Sequence, residues 1–350
     1  MMFARSEWIG LFCTIILLPL NKNIKIILNY VIGPLVFCLL AWSIYKQLLR
    51  QPNWLQSLQE AARAVTGAGW WKVLLAVLLL LVNWGCEARK WQIAIKTVQP
   101  VSFVRSLKAI FTGVTLAFFT PNRIGEYMGR ILYIRPGVRV KAISLTIVCS
   151  MAQLLVTWLA GIGGLIFSMY FIAQQGGENT YTLFWMRTLL YISVGGALIL
   201  TLFYFRLAGL VKLIEKIPRL EKLIVNIRVL ESFNATILLR ILSISIARYG
   251  IFIVQYYLLF DVFNVPLTFA QVIGTVSVVF LVLSIVPTIA VITELGVRWK
   301  TSVEVVQLFT GNITGILATS LAIWIINLVI PALIGSLLLL GLKIFPGKNN

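Results

Sequence analysis

The sequence predicts an all-α polytopic membrane protein, with about seven to nine apolar helical segments and two Pro/Gly-interrupted re-entrant hairpins set in inverted repeats. Three observations carry that expectation. Of 350 residues, 60% are hydrophobic and only 12% charged, about half the roughly 25% charge of a soluble domain, and the mean hydropathy is +0.95. The apolar residues fall into runs, several of them near the roughly 20 residues that cross hydrocarbon. Basic residues cluster between the runs, 30 Lys+Arg against 11 Asp+Glu for a formal net charge of +19, as expected of cytoplasmic loops that meet anionic lipid.

Taken in order, residues 8–20 are apolar but too short to span, so residues 1–21 read as an interfacial or misassigned start. A first span covers about 25–45, a polar amphipathic stretch covers 51–66, and a second span covers about 72–87. Within 83–91, Asn83, Trp84, Glu87, Lys90 and Trp91 read most simply as an interfacial anchor, with aromatic rings at head-group depth. Further apolar runs lie near 109–119, 143–172, 188–205, 237–262, 270–292 and 313–342. These give a first membrane repeat over 22–205, a linker over 206–236 and a second repeat over 237–345. In the linker, Leu210, Leu213, Ile214 and Ile217 recur at helical spacing while Lys212, Lys216 and Lys222 take other faces, the pattern of a basic amphipathic segment on the membrane surface. The basic stretches 122–141 and 206–240 read as cytoplasmic, the charge-poor stretches 173–187 and 261–268 as external, and the C-terminus as cytoplasmic.

Positive charge flanks the 109–119 run on both sides, Arg105 and Lys108 before it and Arg123 and Arg130 after it. A single crossing would leave one cluster outside. A hairpin that turns at Thr120-Pro121-Asn122 and returns to the same side avoids this. The same arrangement recurs 166 residues later, where Thr268-Phe269 matches Ser102-Phe103 and Pro287 matches Pro121. After each proline comes a glutamate, a glycine and an arginine: Glu126, Gly129, Arg130, then Glu294, Gly296, Arg298. Thr120, Pro121, Gly125, Gly129, Pro287 and Gly296 are the expected hinge positions.

The composition excludes much chemistry. There is no histidine, and Asp261 is the only aspartate, so His bases, His ligands and clustered-Asp metal sites are absent; neither a metal nor a cofactor is expected. Cys13, Cys38, Cys86 and Cys149 sit in or beside apolar runs without CxxC spacing and read as small hydrophobes. Nucleic acid is not an expected partner, because the basic residues flank apolar spans.

The candidate substrate-binding set is Asn122, Arg123, Glu126, Arg130, Arg248, Glu294 and Arg298. Thr120 as an N-cap and Pro121 at the first helical position would start a half-helix whose free N–H groups favour an anion. Arg123 and Arg130, two turns apart, would share a face with Glu126. The bland alternative is a solvated loop with a routine salt bridge. Glu294 and Arg298, in or near hydrocarbon, must pair or face a wet cavity; a structural i,i+4 pair is the alternative there. Arg248 lies inside an apolar segment with Gln255 two turns on; a hairpin glutamate is its natural partner, and an interhelical structural pair is equally consistent.

At these residues the sequence resembles the transmembrane, flippase-like domain of lysylphosphatidylglycerol synthases and its stand-alone relatives. The likeness rests on Thr-Pro-Asn-Arg-Ile-Gly-Glu at 120–126 with Arg130, on Pro287 to Arg298, and on the Asn-Trp segment at 83–91, and it covers about 22–345. Asn122 departs from the pattern, since relatives often carry Gly there. The resemblance implies a multi-pass protein of the bacterial cytoplasmic membrane that translocates an anionic or aminoacylated phospholipid or a lipid-linked intermediate. It does not imply lysyl transfer, which in the synthases belongs to an additional soluble domain, and the expectation is a non-enzyme. In that reading the arginines hold the phosphate while Glu126 and Glu294 orient them or carry a proton. Two rivals stand beside it: an intramembrane enzyme on a lipid-linked substrate, with Glu126 and Glu294 as its only acid–base candidates, and a non-catalytic subunit that recruits a soluble transferase through the basic stretch 206–231.

Overall fold

The computed structural model describes residues 69–120, 123–174, 180–207, 227–286 and 291–340, with a few isolated positions besides. The start at 1–21, the span at 25–45, the amphipathic stretch at 51–66, Pro121, Asn122, Pro287 and most of the linker lie outside the described residues. Among the described residues every element is helical and there is no strand. Five of the described helices are long and apolar enough to cross a membrane: Trp70–Ile95, Pro136–Gln174, Leu183–Phe205, Ala235–Val262 and Ile313–Leu339.

The first long helix, α1, runs over Trp70–Ile95, two turns beyond the end expected near Glu87. Short helices follow: α2, Phe103–Ala117, begins at Ser102, whose hydroxyl accepts from the Arg105 N–H, and α3, Gly125–Ile131, folds back against it. At 15 residues, α2 is about 22 Å long, short of the roughly 30 Å hydrocarbon core. The two limbs meet backbone to backbone. A Cβ on Gly129 would lie 2.4 Å from the Gly113 Cα, and one on Gly125 2.2 Å from the Leu116 carbonyl. Gly125 and Gly129 therefore serve close packing between the limbs, as small residues do between membrane helices.

The half-helix starts later than expected. Its first residue is Gly125, not Pro121, and its N-cap residue, Ile124, makes no side-chain cap. Thr120 still closes the turn, accepting from the Gly125 N–H at 2.7 Å. Arg123 sits in the turn with φ +58°, a left-handed conformation that costs a non-glycine residue about 1 kcal/mol. At seven residues, α3 is one to two turns of helix, so the phosphate role assigned to a half-helix N-terminus is withdrawn.

Two long helices follow, α4 (Arg139–Gln174) and α5 (Thr180–Phe205). The latter packs on α4 and turns Tyr191, Leu198 and Leu202 outward, an apolar face suited to lipid. The second half opens with α6, Ala235–Val262, capped by Asn234. Next comes α7, Phe269–Ile285, opened by a capping box between Thr268 and Gln271. The apolar run at 270–292 is broken at Val286, where the backbone turns extended, and α8 resumes at Val291–Val306. Gly296, expected as a hinge, lies inside α8 with open space where a Cβ would stand, and the α-helix continues through it without a break, so the interruption falls before α8 and not at Gly296.

The last rod comprises α9 (Ile313–Trp324), a π-helical turn over Ile325–Val329, and α10 (Ile330–Leu340). Pro331 accounts for the turn. It has no N–H to give the carbonyl of Asn327 four residues back, so the α-helical pattern cannot continue across it.

A shift of 166 residues carries Phe103, the start of α2, onto Phe269, the start of α7, and brings α1 within a residue of α6 at each end. These equivalent helices pack crosswise: α1 lies on α6, α7 on α4, and α2 on α10. Close approach marks the crossings. A Cβ on Gly164 would meet the Gly274 carbonyl at 2.5 Å, and one on Gly335 the Phe111 carbonyl at 2.1 Å. The hairpin of each half is thus held by the long helix of the other.

Candidate functional site

One face of α1 supplies the centre of the site. Asn83, Glu87 and Lys90 recur at i, i+4 and i+7, so they line one stripe, and Asn83, Trp84, Glu87, Lys90 and Trp91 are all buried. The interfacial-anchor reading of this segment is corrected. Only Arg89, on the opposite face, is exposed.

Glu87 gathers three cations. Its Oε2 lies 2.7 Å from Lys90 Nζ and 2.9 Å from Arg248 Nη1, and its Oε1 lies 3.0 Å from Arg130 Nη2. Charges this deep in a low-dielectric setting survive only when paired and hydrogen-bonded. Arg248 Nε also donates to Asn83 Oδ1 at 2.7 Å, and its guanidinium stacks over Trp84 and Phe252. The partner of Arg248 is therefore the α1 glutamate, not a hairpin glutamate. The reason is packing: α6 lies along α1, which brings Arg248 to Glu87.

The first hairpin joins this cluster through Arg130. Its Nη2 is shared between Glu87 and Glu126, the latter at 3.3 Å, and Glu126 also holds Arg123 Nε at 2.8 Å. The two arginines converge on Glu126 although they do not share a helix. Arg130 is 2% exposed, so it does not belong to a solvated loop. The second hairpin repeats the i,i+4 pair: Glu294 Oε1 accepts from Arg298 Nη2 at 2.8 Å, and Arg298 Nη1 donates to the Tyr256 hydroxyl at 3.0 Å.

The cations and carboxylates from α1, α6 and both hairpins meet around two adjoining cavities of about 300 and 590 Å³. Arg123, Arg248, Trp84 and Gln153 line both. Glu294 and Arg298 belong to the smaller, and Glu87, Lys90, Glu126 and Arg130 to the larger. Together the described walls carry five cations, Lys90, Arg123, Arg130, Arg248 and Arg298, against three carboxylates, Glu87, Glu126 and Glu294. That leaves a formal excess of two positive charges around the two cavities. Several donors there have no partner among the described residues, including Arg130 Nε and Nη1 and Arg298 Nε. An oxyanion is the ligand that such walls accept.

Residues 26–335 match the model of the lysylphosphatidylglycerol synthase transmembrane region. The chain belongs to that family. No curated protein matches it. As a member of the lysylphosphatidylglycerol synthase transmembrane family it is a multi-pass membrane protein of lipid biology, and every residue of the charged cluster lies inside the matched span.

Of the predicted set, Arg123, Glu126, Arg130, Arg248, Glu294 and Arg298 all line the cavities; Asn122 lies outside the described residues. The set lacked Asn83, Trp84, Glu87, Lys90 and Gln153. A polar stripe at i, i+4, i+7 through an apolar helix was the available signal for three of them.

Proposed function

We propose that this protein is a lipid translocator, moving an anionic or aminoacylated phospholipid or a lipid-linked intermediate across the bacterial cytoplasmic membrane, with its C-terminus on the cytoplasmic side. The observation that carries the reading is the cationic excess of the paired cavities where the two hairpins meet. A phosphodiester headgroup supplies the missing negative charge and acceptor oxygens for the guanidiniums that line the cavities, while its acyl chains stay in hydrocarbon. Arg123 is the first contact: its side chain is 40% exposed and lines both cavities, whereas Arg130 is sealed at 2%.

The carboxylates speak for transport over catalysis. Glu87 is held by three cations, Glu126 by two and Glu294 by Arg298, so each is occupied as a counter-ion and none is poised as a general base.

The test is Arg123→Lys in proteoliposomes with matched incorporation, followed by transbilayer movement of a labelled anionic phospholipid. Lysine keeps the charge but loses the planar two-pronged contact to phosphate. Transport falls roughly tenfold, while Arg135→Lys, on the exposed face beyond α3, leaves it unchanged. Equal transport by Arg123→Lys and the parent protein overturns the phosphate assignment.

A further inference from the structure

The smaller cavity carries a second kind of group that a phosphate does not use. Asn327 lies in the π-helical turn that Pro331 imposes, lines this cavity, and is 8% exposed. Its amide orientation is fixed by a relay. Gln255 Nε2 donates to the Ala76 carbonyl at 2.8 Å, which leaves Gln255 Oε1 as the acceptor, and Asn327 Nδ2 donates to that oxygen at 3.1 Å. The same Nδ2 also donates to the Ile323 carbonyl at 3.3 Å. Both amide hydrogens of Asn327 are thus committed, and among the described residues its Oδ1 is left without a partner. Gln153, which lines both cavities, likewise has an unpartnered Oε1.

A buried acceptor without a partner costs free energy unless something donates to it. A phosphodiester cannot, since it only accepts. Resting on the translocator reading, we propose that Asn327 is a headgroup-recognition residue. Its Oδ1, with the Oε1 of Gln153 beside the arginines, takes a hydrogen-bond donor carried by the headgroup beyond the phosphate, a hydroxyl or an ammonium. The arginines bind the charge common to many lipids, and the amide acceptors select among them. Asn327 sits inside the π-turn, and its amide lies at the cavity wall.

The experiment compares three lipids in proteoliposomes: phosphatidylglycerol, whose headgroup carries hydroxyls; phosphatidylethanolamine, whose headgroup carries an ammonium; and phosphatidylmethanol, an anionic phosphodiester with no headgroup donor. The parent moves phosphatidylglycerol faster than phosphatidylmethanol by roughly three- to tenfold, the worth of one or two hydrogen bonds. Asn327→Leu, of similar volume, brings that ratio to about one by slowing phosphatidylglycerol alone. A response of phosphatidylethanolamine to the variant identifies ammonium as a donor; a response confined to phosphatidylglycerol identifies hydroxyl. Gln255→Leu, which frees the Asn327 amide to rotate, lowers the ratio part of the way.

Native mass spectrometry of the purified protein, offered equal phosphatidylglycerol and phosphatidylmethanol, reads the same preference without transport. Discrimination there with no movement of any lipid overturns the translocator reading and keeps the recognition role. Transport without discrimination, or an equal loss for both lipids in Asn327→Leu, overturns the recognition role and keeps the translocator.

Discussion

Replacing Glu87 by glutamine is the most direct probe of the charged cluster. The variant keeps the volume and one carbonyl acceptor but removes the charge that faces Lys90, Arg248 and Arg130 at 2.7, 2.9 and 3.0 Å. The described cavity walls go from five cations against three carboxylates to five against two, a formal excess of three. Removing one partner of a buried ion pair costs about 3–5 kcal/mol. Here Glu126 still holds Arg130, and Asn83 still holds Arg248, which places the loss near the low end, about 3 kcal/mol. For a chain of 350 residues that is a fall in Tm of roughly 4 °C, measured by tryptophan fluorescence of the purified protein during heating in detergent. Adding Lys90→Met returns the excess to two and removes the cation that would otherwise keep only a 3.4 Å contact with Ser245. The double variant regains about half of the lost stability, so the two changes are strongly non-additive. A Glu87→Gln protein that melts with the parent, or a double variant whose loss equals the sum of the single ones, refutes charge compensation as what holds the cluster together.

The hairpin glycines and Gly296 respond with opposite sign. Gly129→Ala and Gly125→Ala press a methyl group into the α2 backbone at 2.4 and 2.2 Å and cost about 1–3 kcal/mol by overpacking. Gly296→Ala meets open space within α8 and gains about 0.5–1 kcal/mol; thermal melting orders the three. Sidedness is tested by cysteine labelling at exposed positions. Lys108→Cys and Arg135→Cys react from the cytoplasmic face only, Pro266→Cys from the external face only. Ser106, though near the same charged flank, is fully buried and bonded to the Ser102 carbonyl, so it cannot report. External labelling of Lys108→Cys rules out the first hairpin, and cytoplasmic labelling of Pro266→Cys rules out the inversion between the halves.

Local properties of the chain were legible in advance. Hydropathy placed the apolar runs of α4, α5, α6 and the final rod. The matching Ser102-Phe103 and Thr268-Phe269 marked two helix starts that the structure caps in the same way, because capping depends on residues within one turn. The i,i+4 spacing put Glu126 with Arg130 and Glu294 with Arg298 within reach of each other, and both pairs form. Boundaries were less secure where sterics decide. The start of α3 follows from how closely Gly125 and Gly129 let two backbones approach, which no single-helix pattern encodes.

The composition of the site, by contrast, was settled only by packing. Glu87 draws Lys90 from its own helix, Arg130 from 43 residues away and Arg248 from 161, and no periodicity in one segment says which distant cation will reach a given carboxylate. The open acceptor on Asn327 is set by a relay through Gln255 to Ala76, 179 residues earlier than Gln255. The sequence by itself determined that the chain is a set of membrane helices in two related halves with charges at their breaks, because hydrophobicity and helical spacing act locally. The tertiary structure alone decided that those charges meet in one place with two positive charges in excess, because pairing in a low dielectric is governed by distance in space.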